Sequence, residues 1–437
     1  PSARPDGGHS AYLEFFAPLG STPLEILLSP LHSPARVLAF IATPATLRGL
    51  AMLLLPLTLT PLVGLSLLWI AAPVLAIPLF SANPMMHKLE TYHYAAPALP
   101  FVAVAAADGV GHVAAWLRRV APQLPAPTRA AVVVAVVVLS ALGYHHFRGY
   151  TPLARPFHWP QLSDHDRLGH ALAAAIPADA PVVAQAELVP LLANRRYVRV
   201  WTGPFDPLAE YYLLDVSHPA FTNRNGAQER LVADIAYEPS VGVNASQDGY
   251  LVLQRGAPRL PITPEFFTFI RQPPSAPPIR GGDGGGTLDA TFGESLQLVA
   301  WAADRLPTDR EAEPLLTTIW HVLRAPGEDY FIAVFLLDDT NRPVGVTLHQ
   351  QPATVWWPTG RWQAGETMRV LANTFPWWSG DRTRFGYGLA VVRGDDPWQV
   401  SARLPVTRAD GGPPPLDGGT LLPVVTFTRV AGIPYAD

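Results

Sequence analysis

Apolar positions crowd into the first third of the chain. Between residues 37 and 80 nearly every residue is apolar, with Arg48 and a polar turn at Thr58, Thr60 and Pro61 as the interruptions, a length that fits a hairpin of two helices. Pro44 and Arg48 would kink the first arm, so residues 33–43 could lie in the membrane interface, with the span starting near Ala45. A third apolar segment runs over residues 94–117, and a fourth, rich in valine and alanine, over 130–144. One such segment could be a buried core helix. Four in close succession predict about four transmembrane helices within residues 1–150.

From Asp164 the pattern shortens and alternates. Residues 164–176, 187–193 and 227–237 have helical spacing, and segments 182–185, 197–201 and 211–216 read as strands, followed by two short strands near Val241 and Tyr250. That alternation predicts a small α/β domain over 151–257. Residues 258–286 are dense in proline and glycine, end in Gly-Gly-Asp-Gly-Gly-Gly and read as a linker. With no buried strand before it and no helix after it, that run is not a phosphate loop. Beyond it, residues 296–302, 316–323, 330–337, 344–348, 367–372, 386–392 and 424–429 form short segments separated by Gly, Pro and Asp. Such spacing predicts an antiparallel β-sandwich over 287–437. The expected fold class is therefore multi-domain: a helical transmembrane region, a small α/β domain and a C-terminal β-sandwich.

Composition narrows the function. The chain has 437 residues, 49% hydrophobic and only 15% charged, and the formal net charge is -4, so no basic surface invites nucleic acid. No cysteine is present, which removes disulfides and thiolate chemistry. The chain opens at Pro1 without methionine or signal-like pattern and reads as truncated or processed. Arg118, Arg119 and Arg129 cluster in one loop, which would sit in the cytoplasm. The loop 81–93 and everything after Tyr144 would then be extracytoplasmic, although Arg148 and Arg155 flank the other end of the last span. The expected location is the cell membrane, multi-pass.

Candidate chemistry gathers in three places. The loop 81–101 brings together His87, Lys88, Glu90, His93 and Tyr94 between two membrane segments. A cation beside imidazoles there could hold a lipid-linked phosphate, and the same residues could be interfacial anchors. Asp166 and His170 lie one helical turn apart, but Ser163 or Asp164 as a helix cap explains this acidic cluster better than a metal does, so no metal and no cofactor are expected. Trp356, Trp357, Trp362, Trp377 and Trp378 could stack on sugar rings or fill the core between sheets. If the Trp pairs lie on strands, their members point to opposite faces. No Gly-x-Ser-x-Gly, His-Glu-x-x-His or P-loop pattern occurs.

Residues His93, Tyr94, Pro97, Pro100 and Phe101, together with the segment 176–201 ending near Arg195 and Arg196, resemble a family of predicted multi-pass bacterial and archaeal membrane proteins of unknown function. That family looks related to GT-C glycosyltransferases. The resemblance covers residues 12–255, and the segment 356–366 resembles β-domains appended to such proteins. It implies use of a polyprenyl-phosphate-linked sugar, although no residue matches the GT-C catalytic carboxylate motif. Two functions are thus expected: a GT-C-like envelope glycosyltransferase or an incomplete part of one, and alternatively a non-catalytic membrane-anchored protein that binds envelope glycans or serves as structure. Partners would be membrane lipids and those glycans.

Overall fold

The computed structural model describes residues 13, 15–87, 89, 93–155, 157, 159, 162–203, 205–217, 227–272, 284–304, 314–347, 349–372, 382–430 and 433–436. The chain divides into two compact units, Pro1–Gln161 and Leu162–Asp437.

The first unit is helical: α1 (Pro23–His32), α2 (Pro34–Ile41), α3 (Pro44–Leu54), α4 (Thr60–Val63), α5 (Leu65–Leu79), α6 (Leu99–Val120) and α7 (Ala126–Arg148). Two helices are long and apolar enough to cross a membrane, His93–Val120, which includes a leading 3₁₀ turn, and Ala126–Arg148. The bent pair α1 and α2, at 101° to each other, would make a third. Residues 37–80, expected to hold two of about four spans, are divided into shorter helices. This stretch is cut by prolines at the first turns of α3 and α4, by left-handed backbone at Thr58 and Leu59, and by Pro73 and Pro78 inside α5. Its apolar helices, Thr46–Leu57 and Leu68–Leu79, fall short of the roughly 20 residues a bilayer needs.

Small residues let the backbones of this unit meet. A Cβ on Gly109 would lie 2.0 Å from the Thr60 carbonyl oxygen, and one on Gly64 2.1 Å from that of Ala105, so α4 docks on α6 through an Ala-x-x-x-Gly face. Outward-facing α7 stays apolar, with Val136, Leu139 and Leu142 exposed, a surface suited to lipid rather than water.

The second unit begins with α8 (Asp164–Ala175), β1 (Val182–Ala184), α9 (Val189–Leu192), β2 (Val198–Val200), β3 (Tyr211–Asp215), α10 (Ala227–Tyr237), β4 (Val241–Gln247) and β5 (Tyr250–Arg255). Its sheet has the order β2-β1-β3-β5-β4, with β1 parallel to β2 and β3, and β5 antiparallel to β3 and β4. All three residues of β1 and all five of β3 are buried, which is why these strands read as unbroken apolar runs. Ser163 caps α8 in a reciprocal capping box with Asp166. At the other end the Arg195 guanidinium donates to the carbonyls of Pro177, Ile176 and Ala173, so this arginine closes the helix C-terminus.

Then follow β6 (Arg271–Gln272), β7 (Gly284–Phe292), β8 (Leu296–Asp304), β9 (Leu315–Val322), β10 (Tyr330–Leu337), β11 (Pro343–Val346), α11 (Pro352–Trp356), β12 (Thr367–Leu371), β13 (Arg384–Arg393), β14 (Val406–Arg408), β15 (Leu422–Val430) and β16 (Ile433–Ala436). They form two antiparallel sheets, β11-β10-β13-β15-β16 and β14-β7-β8-β9-β12-β6. Phe292 and Trp320 from one, and Val334, Tyr387 and Phe427 from the other, join one apolar core.

That core also includes Tyr212, Leu214 and Leu253 of the mixed sheet, so the α/β segment and the antiparallel sheets are not independent bodies. The proline- and glycine-rich stretch is partly built in: Phe266 and Ile270 are fully buried, β6 pairs with β12, and Gly284–Gly286 open strand β7 opposite Trp301, Ala302 and Ala303. Gly286 has the Trp301 indole 3.3 Å from where its Cβ would be, a reason for glycine within a strand.

Candidate functional site

In the membrane unit, His87 ends a 3₁₀ turn (Pro84–His87) and is buried. Its Nε2 lies 2.8 Å from the Ser81 carbonyl oxygen, so it must donate there, which leaves Nδ1 to accept from the Thr46 hydroxyl at 3.2 Å. Both ring nitrogens are thereby used in pinning α3 to the loop. Gly49, one turn after Thr46, allows the close approach: its Cβ would sit 2.2 Å from the His87 carbonyl oxygen. His93 and Tyr94 lie on the 3₁₀ turn that leads into α6, His93 exposed, with ring centroids 4.7 Å apart. Lys88 and Glu90 lie outside the described residues.

The tryptophans separate by environment. Trp356 ends α11 rather than sitting on a strand. It is buried against Phe266 and donates its indole N–H to Gln228 at 2.7 Å. Trp362 is 1% exposed and donates to the Trp357 carbonyl at 2.9 Å. Neither ring face can meet a sugar. Trp357 is partly buried, with the guanidinium carbons of Arg271 and Arg361 each 5.7 Å from its ring centroid and Phe267 beside it. Trp377 and Trp378 lie outside the described residues.

The second unit contains a cavity of about 340 Å³ that sequence reading missed. One wall comes from the α/β segment: Ser163 and His165 at the start of α8, Asp215 and Ser217 at the end of β3, and Asp248 in the β4–β5 turn. The rest of the lining is Phe269, which packs beside Gly249, together with Pro352 and Ala353 of α11 and Arg369 and Leu371 of β12. The first wall lies at the carboxyl end of a parallel strand, where open α/β sheets commonly take ligands.

His165 organises that wall. Its Nδ1 is 2.7 Å from Asp248 Oδ2 and its Nε2 3.0 Å from Asp215 Oδ2, while its ring stacks on Tyr250 at 4.4 Å. Burial of the ring opposes its charge, but the hydrogen bonds to Asp215 and Asp248 outweigh this and push its pKa up to about 9. The His165 hydrogen bond in turn holds Asp248 below the usual carboxylate range. Burial, reinforced by the fields of the three surrounding carboxylates, raises the Tyr250 pKa, so the phenol stays neutral.

Asp248 reaches His165 because residues 248 and 249 form a two-residue hairpin turn, with φ of 45° and 80°. Asp-Gly is the dipeptide this turn favours. Gly249 is required twice, for its positive φ and because a Cβ there would lie 2.7 Å from that of Ser217.

Ser217 Oγ, His165 and Asp248 line up like a nucleophile, base and orienting acid, with Oγ 3.3 Å from Nε2. The protons run the wrong way for that chemistry. Ser217 donates to Asp215 Oδ1 at 2.6 Å, and an imidazolium donating from both nitrogens has no lone pair to receive a serine proton. At neutral pH the wall is a fixed array of donors and acceptors rather than a charge-relay base.

The fold therefore defines a membrane protein: a helical unit with span-length helices, followed by a unit of one mixed and two antiparallel sheets. A family model described as "Predicted membrane protein (DUF2079)" matches residues 1–252, more than half of the chain, and the chain belongs to that family. No curated protein and no solved structure matches it.

Proposed function

We propose that the chain is a membrane-anchored envelope protein whose second unit, facing away from the cytoplasm, binds a polyhydroxylated ligand of the glycan class in the cavity beside His165. In this reading the two antiparallel sheets form a sandwich that supplies one cavity wall. The observation that carries the proposal is the amphipathic cavity itself. It lines one space with fixed carboxylates and hydroxyls and with the apolar side chains of Phe269, Pro352 and Leu371, the combination that suits a sugar with polar edges and an apolar face.

A second reading places the chain within a GT-C-like glycosyltransferase that handles a polyprenyl-phosphate-linked sugar at the loop before α6. What favours it is exposed His93 at the entrance of a span, beside Tyr94, in the motif that carries the resemblance. His87, saturated by Ser81 and Thr46, serves that reading as a scaffold rather than as a phosphate ligand.

One binding experiment on the full chain in detergent separates the two. Monosaccharides and oligosaccharides should change the intrinsic tryptophan fluorescence, and Asp248→Asn should weaken that response without altering expression. A polyprenyl-phosphate probe should bind independently of Asp248, and it should lose about tenfold in affinity with His93→Ala only if the transferase reading holds. No response to any sugar would defeat the cavity proposal.

A further inference from the structure

Resting on the reading of the cavity as a glycan site, the geometry points to a more specific ligand: a saccharide carrying a carboxylate or phosphate, its oxyanion held by Arg369. Arg369 lies in β12, paired with Ile319 of β9, and its backbone N–H donates to the Ile270 carbonyl at 2.7 Å, so its position is set by sheet on both sides. The side chain is only partly exposed and borders the cavity. Among the described residues its guanidinium makes no hydrogen bond and no ion pair; burial holds its pKa below the ordinary arginine value, offset only in part by the fields of Asp248 and Asp304.

Several other arginines of this unit meet carboxylates, and Arg195 and Arg255 meet backbone carbonyls. Arg271 meets Glu366 at 2.7 Å, Arg403 meets Asp417 at 2.7 Å, and Arg408 pairs with Asp410. A guanidinium cannot shed its proton to escape a half-buried site, so one left without a carboxylate is costly to keep unless something else supplies the oxygens. Its planar fork matches a carboxylate or phosphate in two parallel hydrogen bonds.

Elsewhere in the cavity lining the requirements are complementary. The oxygens of Asp215 and Asp248 already accept from His165, Ser217 and Thr268, and each can accept further from a hydroxyl. With His165 charged, the two aspartates and the imidazolium sum to one negative charge, which balances Arg369. An occupant with its oxyanion at Arg369 and its hydroxyls toward the aspartates follows that polarity. A volume of about 340 Å³ is at the small end of ligand cavities and fits one sugar ring with its substituent.

The test uses the full chain in detergent and isothermal titration with glucuronate, glucose 6-phosphate, glucose and glycine. Glucuronate or glucose 6-phosphate should bind about tenfold or more tightly than glucose. Arg369→Gln should abolish that preference, read as the ratio of charged-sugar to glucose affinity, and Arg369→Lys should keep part of it, because the charge survives without the fork. Equal binding of charged and neutral sugars, or an unchanged preference in Arg369→Gln, overturns the proposal and leaves the glycan reading standing. Binding of glycine in preference to every sugar, or of no probe at all, overturns both. Should Arg369→Gln fail to fold, the comparison of Arg369→Lys with the parent decides the matter by the same ratio.

Discussion

Trp356 and Gln228 are 128 residues apart in sequence and joined by a 2.7 Å hydrogen bond in the interior of the second unit. Gln228 is fully buried, and its amide also donates to the Val216 carbonyl at 3.1 Å, so one side chain links α11, α10 and the exit of β3. It thereby ties α11, which carries the cavity residues Pro352 and Ala353, to the chain just before Ser217.

Gln228→Ala should strand the indole N–H and the Val216 carbonyl in a dry interior and leave a small void. Each unsatisfied group costs about 1–3 kcal/mol. Thermal unfolding of the full chain, followed by near-ultraviolet circular dichroism of the tryptophans, should show a lower midpoint. An unchanged midpoint would mean that the link contributes nothing.

Stability should depend on alkaline pH through His165. Its folded pKa, about 9, lies above its ordinary value of 6.5, so the folded state retains a proton that the unfolded chain has released. This contribution is fully present below pH 6.5 and is lost as pH rises through 9. Unfolding midpoints measured across that window should fall for the parent and fall less for His165→Gln. Parallel profiles for the two would show that His165 is not the responsible group.

Gly169 lies on the α8 face turned toward Tyr250, and a Cβ there would be 2.5 Å from the phenolic oxygen. Tyr250 cannot simply withdraw, since its ring is stacked on His165. Gly169→Ala should therefore destabilise by about 1–3 kcal/mol, as overpacking does, even though alanine is the better helix former by about 1 kcal/mol. Greater stability in the variant, read from the same unfolding curves, would show that the site yields.

Much of the second unit was legible residue by residue. The runs at 330–337, 367–372 and 386–392 became β10, β12 and β13 with ends shifted by no more than two residues: β12 is half-buried and alternates, whereas β10 and β13 are buried on both faces and read as short apolar runs. The cavity was not legible, since its polar groups, from Ser163 to Arg369, come from segments far apart in the chain. His165 stood in a cluster with Asp164 and Asp166 that a helix cap explains fully, while its actual partners lie 50 and 83 residues downstream. The one local clue was Asp248-Gly249 between two strands, a hairpin signal that fixes where the Asp248 carboxylate must emerge. In the first third, hydropathy located apolar chain but not its path. Prolines and two left-handed residues divided 37–80 into pieces shorter than a bilayer.

The residues matched by the family end at 252, and that boundary passes between the cavity walls. Ser163, His165, Asp215, Ser217 and Asp248 lie before it, whereas Phe269, Arg369 and Leu371 lie after it. The cavity is thus a joint product of a family module and its extension. In this chain the imidazolium and its two carboxylates lie in the family-matched part, while the guanidinium and the aromatic ring of the same cavity come from the residues that follow it, so exchanging the residues after 252 would change half of the lining and leave the other half's sequence untouched.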